Sequence, residues 1–141
     1  MTVFSPYYQE DGITIYHGDA REVLPTLSGI DLVVTSPPYN LNIRKTFNNT
    51  SAWSGKWNNS KLQSEGYDQY SDYMPEEKYI KWQKEILQEC FRLIKDDGAI
   101  FYNHKWRVQK GLLQQRSELI EGLPLRQIII WKKSGGINFN E

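Results

Sequence analysis

Two consecutive prolines, Pro37 and Pro38, constrain this chain more than any other feature of its sequence. Each proline fixes φ at about −65° and has no backbone N–H, so neither can occupy an interior position of a strand. The short apolar run that precedes them, residues 32–34, is typical of a buried strand of a parallel sheet, and Thr35 and Ser36 end it. The sequence therefore predicts a stiff turn at the carboxyl end of a buried strand, where open α/β sheets place their ligands.

The side chains around the prolines suggest a chemistry for this turn. Ser36 offers a hydroxyl, Tyr39 offers a flat ring, and the prolines offer carbonyls without competing amides. Rigid acceptors can take hydrogen bonds from an exocyclic amino group while the ring stacks on the base that carries it. Binding the N–H protons in this way localises the nitrogen lone pair and aims it at an electrophile, with little reorganisation at reaction. A purely structural turn is the alternative, and the flanking Ser and Tyr favour the functional interpretation.

Residues 34–39, Val-Thr-Ser-Pro-Pro-Tyr, resemble the catalytic motif of the DNA amino-methyltransferases. These enzymes methylate N4 of cytosine or N6 of adenine with S-adenosylmethionine. Thr-Ser-Pro-Pro-Tyr is more usual in the N4 enzymes and Asp-Pro-Pro-Tyr in the N6 enzymes, but the division has exceptions and leaves the base open. The resemblance implies that Ser36, Pro37, Pro38 and Tyr39 are catalytic, and that the target base is flipped from the duplex to stack on Tyr39.

A second part of the resemblance lies nearer the start of the chain. Residues 13–16 form a β-branched run that predicts a strand, Gly18 permits a tight turn, and Asp19 can cap a helix that begins at Ala20. Pro25 keeps that helix to a turn or two. In the family an acidic residue at this place lies beside the adenine of S-adenosylmethionine, so the resemblance implies that Asp19 and Ala20 bind the cofactor. A plain helix N-cap explains Asp19 equally well on spacing alone.

Residues 41–73 have no sustained period and are rich in Asn, Ser, Gly, Trp and Tyr. Loops of this length are usually functional or disordered. Aromatic rings among amides and basic residues suit stacking on bases and contact with phosphates. We expect a substrate-side loop insertion; a flexible surface insertion is the alternative.

The rest of the sequence alternates between helical and strand patterns. The predicted elements are a helix over residues 76–95, a strand over 99–102, a helix over 112–120 and a strand over 127–131. This alternation predicts an α/β fold with a mostly parallel sheet, and the resemblance implies the Rossmann-like methyltransferase type. Residues 103–105 follow a strand and lie at the same sheet edge as Ser36. His104 is therefore a candidate for the site, although a lone His is more often structural.

The glycine motif that binds S-adenosylmethionine in the family, a Phe-x-Gly-x-Gly-like loop after a strand, does not occur in these 141 residues. The catalytic motif comes first, as in the permuted class of the family. We therefore expect residues 1–141 to form a partial catalytic domain that lacks the central cofactor-binding strands. Such a chain is either a truncated form or needs a complementing chain or a second copy.

The function implied by the resemblance is site-specific DNA methylation, of the kind found in restriction–modification, with DNA as the partner. The alternative is a truncated, inactive nucleic-acid-binding fragment. The formal net charge is zero, and the single cysteine, Cys90, lies in a helical pattern where it is most simply a buried apolar residue. We predict no metal site. No apolar run reaches membrane-spanning length, which predicts a cytoplasmic protein without membrane contact.

Overall fold

The structure is a computed structural model that describes residues 4–40, 73–109 and 111–131. The predicted loop insertion, apart from Tyr73, lies outside the described residues. The strands are β1 (Tyr8–Glu10), β2 (Ile13–Ile15), β3 (Ile30–Thr35), β4 (Ile94–Tyr102), β5 (Arg107–Gln109) and β6 (Leu112–Gln114). The α-helices are α1 (Ala20–Val23) and α2 (Glu76–Leu93), and 3₁₀ turns span Leu24–Thr26 and Ser117–Ile120.

The parallel pairing of β3 with β4 places the proline turn. Leu32 pairs with Ala99 and Thr35 pairs with Tyr102, so both strands end at the same edge. The strand predicted over residues 99–102 is confirmed, but β4 begins earlier, directly after α2. The register shifts between Ile30 and Leu32. Gly98 lies at this shift, where a Cβ would stand 3.1 Å from the Asp31 carbonyl oxygen.

The helix α2 follows the predicted pattern closely. It has Pro75 at its start and acidic residues in its first turn, both of which favour a helix N-terminus. Its buried face supplies most of the core, with Tyr79 and Leu87 packed against Leu119. Cys90 lies on the same face and is buried, as predicted. Tyr102 of β4 packs against this core, so α2 covers one side of the parallel pair.

The other side of the parallel pair is open among the described residues. Leu32, Val34 and Phe101 are 51%, 73% and 47% exposed. The prediction that residues 32–34 are buried is therefore wrong for Leu32 and Val34. The run is apolar on both faces, as in a sheet covered on two sides, while the described residues cover one.

Two antiparallel hairpins depart from the predicted parallel sheet. β1 pairs with β2 across Asp11 and Gly12, which both have positive φ, at 43° and 82°. An Asp-Gly pair between strands is a strong hairpin signal, and the strand at Tyr8–Glu10 was missed. β5 pairs with β6 in the same antiparallel manner. One of the three pairings is thus parallel, which gives a partial α/β fold; the Rossmann-like arrangement stays a prediction.

Both predictions of secondary structure after residue 110 are wrong. The helix expected over residues 112–120 is a strand, β6, and a short 3₁₀ turn, because Arg116 between them has φ at 63° in the left-handed region. The strand expected over residues 127–131 does not form, and Ile130 is 83% exposed. A strand needs a neighbour for its backbone groups, and none is paired with this segment among the described residues. No helix in the described ranges is long and apolar enough to cross a membrane.

Candidate active site

The edge of the parallel pair brings Asn103 beside the proline turn. The Asn103 amide nitrogen donates to the Thr35 carbonyl at 2.9 Å, which continues the ladder one step beyond the paired strands. Ser36 and Asn103 are therefore the first residues past the ends of β3 and β4. The prediction that residues 103–105 lie at the same edge as Ser36 is confirmed.

Three polar side chains meet at this edge in a triangle. The Ser36 hydroxyl lies 2.7 Å from the Tyr39 hydroxyl. Asn103 Nδ2 donates to both, at 3.2 Å to Ser36 Oγ and 2.9 Å to Tyr39 Oη. The sequence prediction placed Asn103 at this edge but gave only Ser36 and Tyr39 a role in the site. Asn103 follows a strand whose parallel neighbour ends directly before Ser36, and this was the signal for its role.

Asn40 closes the turn on its other side. It is 7% exposed and has φ at 57°, a conformation that Asn tolerates better than most residues. Its side-chain amide donates to the Met74 carbonyl at 3.0 Å, and its side-chain oxygen accepts from the Met74 amide at 2.7 Å. This two-bond clamp fixes the residue after Tyr39 to the segment that enters α2.

The side chain of Tyr79, in α2, contacts the proline turn. Its side chain is fully buried, and its hydroxyl donates to the Pro38 carbonyl at 2.8 Å. The same hydroxyl lies 2.7 Å from His104 Nε2. The His104 ring packs against the Tyr39 ring with 5.0 Å between centroids, so His104, the candidate left open by the sequence, does adjoin the turn.

A buried arginine supports Tyr79. The Arg116 guanidinium lies 5.3 Å above the centre of the Tyr79 ring and pairs through Nη1 with Glu76. Arg116 is 3% exposed, and its Nε and Nη2 have no hydrogen-bond partner among the described residues. A cation over an aromatic face is favourable, more so where water is excluded.

Asp19 and Ala20 lie at the start of α1. The Asp19 carboxylate accepts from the Arg21 backbone amide at 2.9 Å, so it caps the helix. The Arg21 side chain also binds it, at 2.6 Å from Nη2, and these hydrogen bonds lower the pKa of Asp19. The N-cap interpretation is thus confirmed, and the cofactor role of Asp19 and Ala20 stays a prediction. Within the described ranges, no three His, Cys, Asp or Glu side chains gather as a metal site would require.

Replacing Asn40 tests the clamp. Asn40→Ala loses both hydrogen bonds and strains the left-handed backbone, so we expect the free energy of unfolding to fall by about 3 kcal/mol. Asn40→Gly loses the same bonds without the strain and should cost roughly 1 kcal/mol less. Urea denaturation measures both. Losses below about 0.5 kcal/mol in both variants would show that the clamp contributes little.

Comparison with known proteins gives a consistent result. A family model described as DNA methylase, and named for N6 and N4 methyltransferases, matches residues 30–141. The Type II methyltransferase M.BglII of Bacillus subtilis is 37% identical over 140 residues, which cover 90% of this chain and 31% of that protein. The Type II methyltransferase M.MjaVI of Methanocaldococcus jannaschii is 29% identical over 129 residues, 87% of this chain and 55% of that protein.

A third relative, the Type II methyltransferase M.ScaI of Streptomyces caespitosus, is 29% identical over 100 residues, 70% of this chain and 25% of that protein. The chain thus spans between a quarter and about half of the length of these relatives. All three relatives are described as Type II methyltransferases.

Proposed function

This chain belongs to the DNA methylase family, and we propose that it transfers a methyl group from S-adenosylmethionine to an exocyclic amino group of a DNA base, N4 of cytosine or N6 of adenine. The observation that carries the proposal is the preorganised turn of Ser36, Pro37, Pro38 and Tyr39. Its neighbours hold it by hydrogen bonds while its Ser36 and Tyr39 hydroxyls stay at the exposed sheet edge.

The distribution of hydrogen bonds in the turn supports particular roles. The Pro38 carbonyl accepts from Tyr79, so the proposal assigns the Pro37 carbonyl and Ser36 Oγ as the acceptors for the two amino protons. Asn103 donates to Ser36, so the role of that oxygen as an acceptor for an incoming N–H requires the Ser36 hydroxyl to donate to Tyr39, which keeps one lone pair available. The Tyr39 ring then stacks on the extruded base, whose unpaired face would otherwise be exposed to water.

The chain's own residues bind and orient the nucleophile. S-adenosylmethionine, when bound, supplies a methyl group activated on sulfonium. Ser36 and the Pro37 carbonyl hold the amino group so that its lone pair is directed out of the base plane. With S-adenosylmethionine bound, the nitrogen would bond to the methyl carbon as the carbon–sulfur bond breaks, and the amino group would release one proton to water. Because the two prolines hold the acceptors in place before the reaction begins, the site needs little reorganisation to reach the transition state.

Asp19 can bind the cofactor only if its carboxylate is released from its present partner, Arg21. Both carboxylate oxygens already accept from Arg21. The Arg21 side chain is half-exposed, however, and surface ion pairs of this kind contribute little free energy. The carboxylate therefore fits a hydrogen-bonding role toward the cofactor once Arg21 moves aside, as the proposal requires.

Variants of the turn test the proposed chemistry. We expect Ser36→Ala to lower kcat for DNA methylation by roughly 10- to 1000-fold, the scale of a lost hydrogen bond to a reacting group. Tyr39→Ala should also weaken DNA binding, since stacking is lost, whereas Tyr39→Phe should retain it. Ser28→Ala, at an exposed position before β3, is the matched control. Unchanged turnover in both Ser36→Ala and Tyr39→Ala would remove this turn from the active site.

Asp19→Asn separates the cofactor role from the cap. Asn caps helices as well as Asp does, so stability should change little. If the carboxylate binds the cofactor, isothermal titration should show S-adenosylmethionine affinity reduced roughly tenfold, because a charged acceptor binds more strongly than a neutral one. An affinity equal to that of the unmodified chain would restrict Asp19 to its capping role.

A further inference from the structure

Tyr79 connects the longest helix to the candidate active site through a single hydroxyl group. The side chain has no exposed surface, and its oxygen lies 2.8 Å from the Pro38 carbonyl oxygen and 2.7 Å from His104 Nε2. Because the Tyr79 side chain is fully buried, its hydroxyl needs hydrogen-bond partners within the protein, and Pro38 and His104 supply them from half-buried positions. The family resemblance gives Tyr79 no role, and its sequence context indicates only that it lies in the helix predicted over residues 76–95.

The direction of the hydrogen bonds at this hydroxyl depends on which nitrogen of His104 carries a hydrogen atom. A phenol has one proton, and the Pro38 carbonyl can only accept. With a hydrogen atom on Nε2, the Tyr79 hydroxyl donates to Pro38 and His104 Nε2 donates to the Tyr79 oxygen. In the other neutral tautomer, Nδ1 would donate to the Lys105 carbonyl 3.1 Å away, and the Tyr79 proton would turn to Nε2. The hydrogen bond to Pro38 therefore requires a hydrogen atom on Nε2. With that atom in place, a directed chain runs from His104 to Tyr79 to the Pro38 carbonyl.

The Pro38 carbonyl controls the direction of the following residue. The peptide between Pro38 and Tyr39 is planar, so the position of its oxygen also fixes its nitrogen. Proline already fixes φ of Pro38, which leaves ψ as its free torsion. A hydrogen bond to the carbonyl oxygen restrains that torsion, and with it the direction in which Tyr39 leaves the turn. The Asn40 clamp restrains the chain on the other side of Tyr39.

The contact between Tyr79 and His104 also holds the His104 ring beside Tyr39. His104 is tied to Tyr79 at Nε2, and its ring packs 5.0 Å from the Tyr39 ring. Arg116 lies over the Tyr79 ring and pairs with Glu76, which restrains Tyr79 from its own side. Tyr79 is thus itself held by buried groups, as a residue that positions another must be.

We propose that Tyr79 is a positioning residue for methyl transfer: through the Pro38 carbonyl and His104, it sets the orientation in which Tyr39 receives the flipped base. The role rests on the proposed function, but the orientation it describes belongs to the free chain. Tyr79 acts on the turn and does not itself contact the substrate.

Tyr79→Phe tests this role, with Tyr102→Phe as the matched control. Both variants keep the ring and remove one hydroxyl, but the Tyr102 hydroxyl donates to Gln83 at 3.0 Å and not to the turn. In ¹⁵N-labelled full chain, we expect Tyr79→Phe to shift the Tyr39 amide and His104 imidazole resonances. Tyr102→Phe should leave the Tyr39 amide close to its original position; because the centre of the Tyr102 ring lies 5.8 Å from that of the His104 ring, the two variants are compared at the Tyr39 amide. Unshifted resonances in Tyr79→Phe, or equal shifts of the Tyr39 amide in the two variants, would overturn the proposal.

The unmodified chain provides a measurement that needs no variant. The imidazole ¹⁵N shifts of His104 should show a hydrogen atom on Nε2. An Nε2 without hydrogen would break the directed chain and overturn the proposal even if Tyr79→Phe failed to fold.

Measurements of turnover distinguish the positioning role of Tyr79 from the proposed function of the chain. Where the chain methylates DNA, Tyr79→Phe should lower kcat roughly tenfold with little change in KM for S-adenosylmethionine, while Tyr102→Phe retains its turnover. Equal turnover in Tyr79→Phe and the unmodified chain would overturn the positioning role. Absence of methylation by the unmodified chain would instead count against the proposed function, and the resonance comparison would still decide the role of Tyr79.

Discussion

The missing N–H groups of Pro37 and Pro38 are the constraint on which the candidate site depends. A turn that carries two prolines lacks two of the backbone donors that could hold it together. Its order comes instead from side chains that reach it from elsewhere: Asn103 on Ser36, Tyr79 on the Pro38 carbonyl, and Asn40 on Met74. The same lack of donors leaves the carbonyls available as acceptors. The rigidity of the turn and the availability of its acceptor oxygens thus both follow from the two prolines and their missing N–H groups.

These supports come from distant parts of the sequence, and the fold is what assembles them. Asn103 is brought to Ser36 by the parallel register of β3 and β4, which ends both strands at one edge. Tyr79 is brought to Pro38 by α2, whose buried face also packs against β4 through Tyr102. A shift of one residue in the strand register would turn every side chain of β4 to the opposite face and would move Asn103 away from the turn.

The elements nearest the site were the most predictable from sequence. The strand before the prolines, the helix α2 and the last residues of β4 each carry a local pattern strong enough to define them. Asn103 was placed at the correct edge, but its hydrogen bonds to Ser36 and Tyr39 were not predicted, because they depend on the register of strand pairing and not on its own neighbours. The predicted helix over residues 112–120 had suitable periodicity, but the left-handed backbone of Arg116 interrupts it, and periodicity alone does not report a single residue's φ.

The contacts of buried polar groups were equally beyond sequence reasoning. Tyr79 fits a core position by its spacing, and the pattern gives no indication that its hydroxyl meets the Pro38 carbonyl. Asp19 shows the opposite case, where capping was foreseen and is confirmed by its bond to the Arg21 amide. Capping is local and has a known residue preference, whereas the partner of a buried hydroxyl depends on tertiary packing.

The chemical identity of the methylated product tests the assignment of this turn most directly. Random-sequence duplex DNA would be incubated with the chain and S-adenosylmethionine that carries an isotopically labelled methyl group, then digested to nucleosides and analysed by mass spectrometry. A turn that holds an exocyclic amino group predicts label in N4-methylcytosine or N6-methyladenine. Label at carbon 5 of cytosine would contradict it.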